Sequence, residues 1–475
     1  MLQLEGFEPA PIPGPKPTAL SGARALQLRF LDDPVRGVLE LRERGDVVGV
    51  VEADPALVCV FGVEHVRSVL EDPDHFQNVE TFPNRSAGSS AIDITDRGLP
   101  RRNGDDHERL RRLLRGAFEP SALDDLTKHV VRMTAAGVAR WPSAGITRVD
   151  QLCRDLVRSV AVTSLLGLPL DPSVVELGDL IAKLHQTRVA SPGWLPEMNL
   201  PGLPHRRTNL LAREVVKRLE AVVEAKQQEP EPRGAFGHLV AASRSDTAGV
   251  SSDDLVGEAI ALFTMSHEPT AMALAWTLFL LDQHADHLVA VQAELDEVLA
   301  DRPPTRADLP HLGRLDRAVK ESLRLLPPMP VLGFRVVAEG AAIGGMPLPA
   351  NANVIISPLS QHREPGHYRS PTTFCPDRWF GLSPDPFVYL PFGAGARACI
   401  AQIFAGESLR LMLAVILQQR RLRCQPGVRI DRQVRGQVLQ LKHGLPMRMT
   451  RPKEPTDPSR PVRGDVHDLV DLPAR

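Results

Sequence analysis

The sequence predicts a mainly α protein with a minor β region, on three observations. Helical periodicity runs through several long segments, of which residues 255–283 form the longest. Runs rich in β-branched residues are short: VVGVVE (47–52), LVCVFG (57–62), GFRVV (333–337) and NVIIS (353–357). The chain has 475 residues, 43% hydrophobic and 24% charged, which suits a large globular core. Length alone suggests about three domains, and no internal repeat is present.

In chain order, residues 1–20 form a proline-rich lead, and a sheet region follows at 47–62. Residues 79–104 (VETFPNRSAGSSAIDITDRGLPRRNG) have no period and are long for a loop, the mark of a functional or mobile segment. DDHERLRRLLRGAF (105–118) is amphipathic: Leu110, Leu113, Leu114 and Phe118 share one face, His107 and Arg111 another. Ser251-Ser252-Asp253-Asp254 signals the start of a helix from Leu255 to about Gln283. At 1.5 Å per residue it spans about 43 Å and crosses a whole domain. RLDRAVKESLRLL (314–326) is a further helix, stopped by Pro327-Pro328. The strand pieces at 333–337 and 353–357 flank a Gly-Gly turn, and a glycine-rich loop leads to an apolar helix from about Ile400 to Gln418. From Arg451 the tail is polar and proline-broken and reads as disordered, so the domain is expected over 21–450.

Composition excludes several classes of function. A net charge of −2 gives no global attraction to nucleic acid or to an anionic membrane. Cys59, Cys153, Cys375, Cys399 and Cys424 are scattered, odd in number and form no C-x-x-C, which argues against a disulfide framework or structural zinc. The longest uncharged apolar run, Pro269 to Leu281, is too short to cross a bilayer, and the N-terminus lacks a signal-peptide core. A monomer in the cytoplasm, without nucleic-acid or membrane partners, is the expectation.

The chemistry concentrates in PFGAGARACIA (391–401). A lone cysteine is most often a small buried hydrophobe, and Cys59, Cys153 and Cys424 read that way. Cys399 differs, because it ends a loop with two glycines and precedes an apolar helix. A helix N-terminus lowers a thiol's pKa, and glycines let backbone approach a flat partner. A single thiolate displayed so suits the axial ligand of a haem iron. Phe392, Gly393, Gly395, Arg397 and Cys399 match F-G-x-G-x-R-x-C. On this signature the chain resembles the cytochrome P-450 family, over roughly residues 30–450.

Other family marks fall in register. Glu321 and Arg324 in KESLR resemble the E-x-x-R pair, one turn apart on a helix face. Arg378 in FCPDRW looks like the third member of that buried charge network. His107 and Arg111 resemble the helix pair that binds haem propionates, and Arg397 and Arg335 look like further partners, since arginine pairs bidentately with carboxylates. Phe392 and Gly395 are implied at the cofactor. Ala401 departs from the pattern, standing where the family has glycine.

The stretch MSHEPT (265–270) is the larger departure. A proline inside a helix costs roughly 3 kcal/mol and opens its hydrogen-bond ladder. By resemblance the stretch aligns with the family's small-G-x-acid-T-T oxygen-binding segment. Glu268 falls on the acid, Pro269 on the alcohol-bearing threonine, Thr270 on the next residue, and Ser266 replaces glycine. In the family, acid and alcohol deliver protons that break the O–O bond. The resemblance therefore implies Glu268 in proton delivery, with Thr270 or an ordered water replacing the missing hydroxyl, and Pro269 shaping the groove.

The implied fold is a triangular single domain, with haem b (iron protoporphyrin IX) between the long distal helix and the proximal loop of Cys399. The implied activity is monooxygenation of a small apolar or amphipathic molecule with O2. Electrons are expected from separate proteins, ferredoxin with its reductase or a flavodoxin-type donor. The 79–104 loop, Phe263, Val331 and Leu332 are expected to shape the pocket. Two alternatives stay open: a haem-thiolate enzyme that uses peroxide or rearranges its substrate, which Pro269 favours, and a non-catalytic haem-binding protein.

Overall fold

The computed structural model describes residues 4–18, 22–78, 90–190, 204–245, 248–450 and 461–473. Its longest element is the helix Ser252–Gln283, which starts three residues before the expected position. Ser251 caps it: its hydroxyl accepts from the Asp254 N–H at 3.2 Å, and the Asp254 carboxylate accepts from the Ser251 N–H at 2.9 Å. Between Leu255 and Leu281 most side chains are buried around the whole circumference, so this helix is the axis of the main core. The helices Val149–Val160, Gly313–Leu325 and Gln402–Gln419 pack around it. Pro269 lies inside it without ending it. Lacking an N–H, Pro269 leaves the Met265 carbonyl without its usual donor four residues on.

The four β-rich runs share one five-stranded sheet. Its order is Val47–Val51, Asp54–Val60, Asn353–Ile356, Phe334–Val337 and Phe76–Asn78. Asp54–Val60 and Asn353–Ile356 run parallel, with Leu57 opposite Asn353, and the other pairs are antiparallel. Arg335 lies opposite Asn78 in this sheet. The sheet thus joins distant parts of the chain, and many of the helices, Ser252–Gln283 among them, form between its strands Phe76–Asn78 and Phe334–Val337.

Two segments set apart in the sequence pack on this body. In the lead, Ile12 is buried, and the carbonyls of Pro13 and Pro15 accept the N–H groups of Gly49 and Glu52 at 2.8 and 2.9 Å. In the tail, residues 451–460 lie outside the described residues, but 461–473 are not disordered. Val462, Val466, Leu469 and Val470 join the main core, and Asp471 accepts from the Thr372 hydroxyl at 2.6 Å. The polar composition that suggested disorder hides four aliphatic side chains at near-helical spacing. No helix among the described residues is long and apolar enough to cross a membrane.

Candidate functional site

The cysteine loop is built from short backbone bonds. Gly393 N–H donates to Leu390 O at 3.1 Å, Ala398 N–H to Gly395 O at 3.1 Å, and Cys399 N–H to Phe392 O at 2.8 Å. The following helix starts at Gln402, not at Ile400. Cys399 has an exposed surface, yet burial pushes its thiol up in pKa, against the Ala401 N–H and the Arg111 charge. The expected lowering by the helix terminus is therefore outweighed by desolvation.

Three guanidinium groups and one imidazole gather near this loop. Arg111 donates to Ala398 O at 2.7 Å, and Arg397 to Asn103 Oδ1 at 2.6 Å. Burial, then Arg397 and Arg111, pull His107 down to about 4. Burial and Arg397 pull the Arg335 guanidinium down to about 10. No carboxylate figures in the charge environment of His107 or Arg335. Mutually repelling guanidinium groups taken out of water need an anion to offset them, and beside them the His107 imidazole is kept neutral. Haem carries two carboxylates, so this donor set fits it, opposite a single accessible thiol.

Behind the loop, Glu321 and Arg324 are fully buried and paired twice: Arg324 Nε and Nη2 each donate to a Glu321 oxygen at 2.9 Å. Arg378 Nε, the Trp379 indole N–H and the Cys375 N–H also donate to Glu321, each at 2.9 Å. These donors hold the carboxyl below its usual range despite desolvation, the largest opposing effect. Trp379 and Cys375 were not singled out from sequence, although both belong to the quoted FCPDRW.

On the distal side, Glu268 is buried and accepts from Arg154 Nε at 2.9 Å. Arg154 Nη1 also donates to Asp150 at 2.9 Å, and its carbonyl meets His267 Nε2 at 3.1 Å. The acid of MSHEPT is thus tied to the neighbouring helix Val149–Val160. Met265 is 50% exposed in the middle of an otherwise buried helix, with Ala261 and Pro269 one turn either side half-buried. That face is the open one. Phe263 is on the opposite side, fully buried with its ring 5.3 Å from that of His267, so it does not shape the pocket as expected. Thr270 is half-buried on the helix.

A cytochrome P450 family model matches residues 12–448. The chain belongs to the cytochrome P450 family. Pentalenene oxygenase of Streptomyces avermitilis is 27% identical over 83% of this chain and 88% of its own length. Cyclooctat-9-en-7-ol 5-monooxygenase of Streptomyces melanosporofaciens is 27% identical over 83% and 86%. Cyclooctatin synthase of that organism is 31% identical over 71% and 75%. The solved cytochrome P450DA heme domain superposes with a TM-score of 0.80 at 21% identity, covering 95% of this chain and all of that one.

As a cytochrome P450, the protein is a haem-dependent monooxygenase acting on a small organic molecule with O2 and redox partners. Its fold is the expected mainly α one with small sheets. Within that P450 fold the two loop glycines serve different ends. Gly393 adopts φ +68°, and a Cβ there would meet only Ala398 Cα, at 4.0 Å. Gly395 also adopts φ +68°, but its Cβ would lie 2.2 Å from Leu70 O, so it seats the loop on the helix Val63–Glu71. Gly395 was expected at the cofactor; its tight contact is with that helix. Phe392 is half-buried against the main core. Of the 79–104 loop, residues 79–89 lie outside the described residues. The remainder is tied down: Leu99 N–H donates to Glu258 at 2.6 Å, and Arg188 to Asp96 at 2.7 Å. Val331 and Leu332 pack in the clusters around the five-stranded sheet.

Proposed function

We propose that this P450 holds haem b through Cys399 and oxidises a bulky, apolar, terpene-like molecule with electrons from a ferredoxin-type or flavodoxin-type donor in the cytoplasm. The observation that carries the cofactor assignment is the gathering of three guanidinium groups and the His107 imidazole beside one accessible thiol. His107, Arg111, Arg335 and Arg397 would hold the propionates, and Glu321, Arg324 and Arg378 would hold the proximal framework. Bound haem supplies oxygen activation, with thiolate donation favouring O–O cleavage. The substrate class is supported by the names of two relatives, which specify cyclooctat-9-en-7-ol and pentalenene, an alkenol and an alkene. It is supported too by the apolar open face at Ala261, Met265 and Pro269. On that face no hydroxyl stands at 269, so the chain would move protons through Glu268, with Thr270 or a water hydrogen-bonded to the Met265 carbonyl as relay. Purified protein should show the red-shifted Soret band of a thiolate-ligated, reduced carbon-monoxide complex, and Cys399→Ala should abolish it. Retention of that band in Cys399→Ala would rule out Cys399 as the ligand.

A further inference from the structure

One fully buried histidine links the Glu321–Arg324 pair to the cysteine loop. His362 Nδ1 lies 3.1 Å from Arg324 O. A carbonyl can only accept, so Nδ1 carries the proton and Nε2 is the acceptor. Nε2 receives the Leu390 N–H at 2.7 Å. Arg324 Nη1 returns a bond to His362 O at 2.9 Å. Leu390 O accepts the Gly393 N–H at 3.1 Å, and Phe392 O accepts the Cys399 N–H at 2.8 Å. The imidazole also packs 5.3 Å from the Tyr389 ring, which fixes its plane.

We propose that His362 is a positioning residue for the Cys399 thiolate. By holding Leu390 it sets the Phe392–Cys399 turn, and with it the sulfur's position and donor strength toward haem iron. This rests on Cys399 being the haem ligand. Burial first, then the Arg324 and Arg363 charges, keep the imidazole neutral, with its pKa down at about 3. The acceptor nitrogen is therefore present at any working pH.

The test uses the full holoprotein, with His362→Gln and His362→Leu. Glutamine offers an oxygen to Leu390 and an N–H to Arg324, whereas leucine offers neither. The readouts are the reduced carbon-monoxide Soret band, the iron reduction potential, and hydrogen exchange of the peptide containing Leu390. We expect His362→Gln to match wild type in all three. His362→Leu should lose part of the thiolate-type band and shift the potential positively. Its Leu390 amide should exchange roughly fivefold faster or more, the loss of one hydrogen bond. A His362→Leu protein with wild-type band and potential would overturn the proposal, as would a His362→Gln protein as impaired as the leucine variant. Should the leucine variant fail to hold haem, the glutamine variant decides in the same way. Wild type without a thiolate band would instead overturn the Cys399 reading, before any substitution is made.

Discussion

At the residue scale, the surroundings of Glu268 constrain its role. Its carboxylate is shared with Arg154, which is shared in turn with Asp150. Two buried carboxylates sharing one half-buried guanidinium are costly to disturb, so Glu268 joins two helices whatever else it does. Glu268→Gln keeps the shape and one acceptor for Arg154 while removing the ionisable group. If Glu268 delivers protons, product formed with NAD(P)H and redox partners should fall about a hundredfold, the common scale of acid–base assistance, with substrate affinity little changed. Pro269→Thr restores a hydroxyl and the N–H that Met265 O lacks, and should raise product formed per NAD(P)H consumed. If peroxide is the oxidant instead, reductant-driven turnover should already be poor in wild type, and peroxide should support it. Glu268→Gln that is silent under both oxidants would leave the residue as a helix tie alone. Residue type and spacing made Glu268 visible in the sequence. Arg154 was not visible, because an arginine 114 positions away announces no partner.

At the scale of elements, the long helix and the glycine loop were legible because each has a local cause. Ser251 to Asp254 states where the helix starts, and the two glycines state where the loop must turn. The C-terminal strap was not legible, since its partners lie far off in sequence. Val466 and Leu469 enter a core built mostly by the helices, while Leu469 O accepts from Arg363 at 2.9 Å. Arg363 is already pushed down to about 9 by burial and then by Arg324. Asp471 N–H donates to Thr372 O at 3.0 Å, next to Pro371 and Thr373, whose carbonyls accept from Arg324. The strap therefore braces the segment that receives the charge network. Truncation after residue 460 should expose those carbonyl and guanidinium groups and lose several buried aliphatic side chains, each worth about 1.5–3 kcal/mol. We expect low solubility or weak haem retention, with partial rescue by an added peptide of residues 461–475. Wild-type unfolding and haem retention in the truncated protein would show that the strap is dispensable.

At the scale of the whole molecule, buried titratable groups set how stability responds to acid. His362 is held at about 3 and His185 at about 4, and His267 and His284 are also lowered, in every case chiefly by burial. A histidine whose folded pKa lies below its unfolded value near 6.5 contributes stability that is full above pH 6.5. That contribution is lost as pH falls toward the folded value, because only the unfolded chain takes up the proton. Glu258 acts in the opposite sense. Burial raises it to about 7, so between pH 7 and its unfolded value the folded state binds the extra proton and acidification stabilises. With His107 and His129 also lowered, six histidines oppose the two raised carboxyls Glu258 and Asp465, so unfolding free energy should fall as pH drops from about 6.5 to 4.5. Each group contributes at most about 1.4 kcal/mol per pH unit. Denaturant unfolding of the holoprotein at pH 7, 6, 5 and 4.5 measures the slope, and two variants resolve its parts. His362→Gln removes one proton uptake on unfolding and should make the slope shallower. Glu258→Gln keeps an acceptor for the Leu99 N–H but removes one opposing group, and should make it steeper. Slopes that are flat in wild type, or that move together in the two variants, would contradict this assignment of signs.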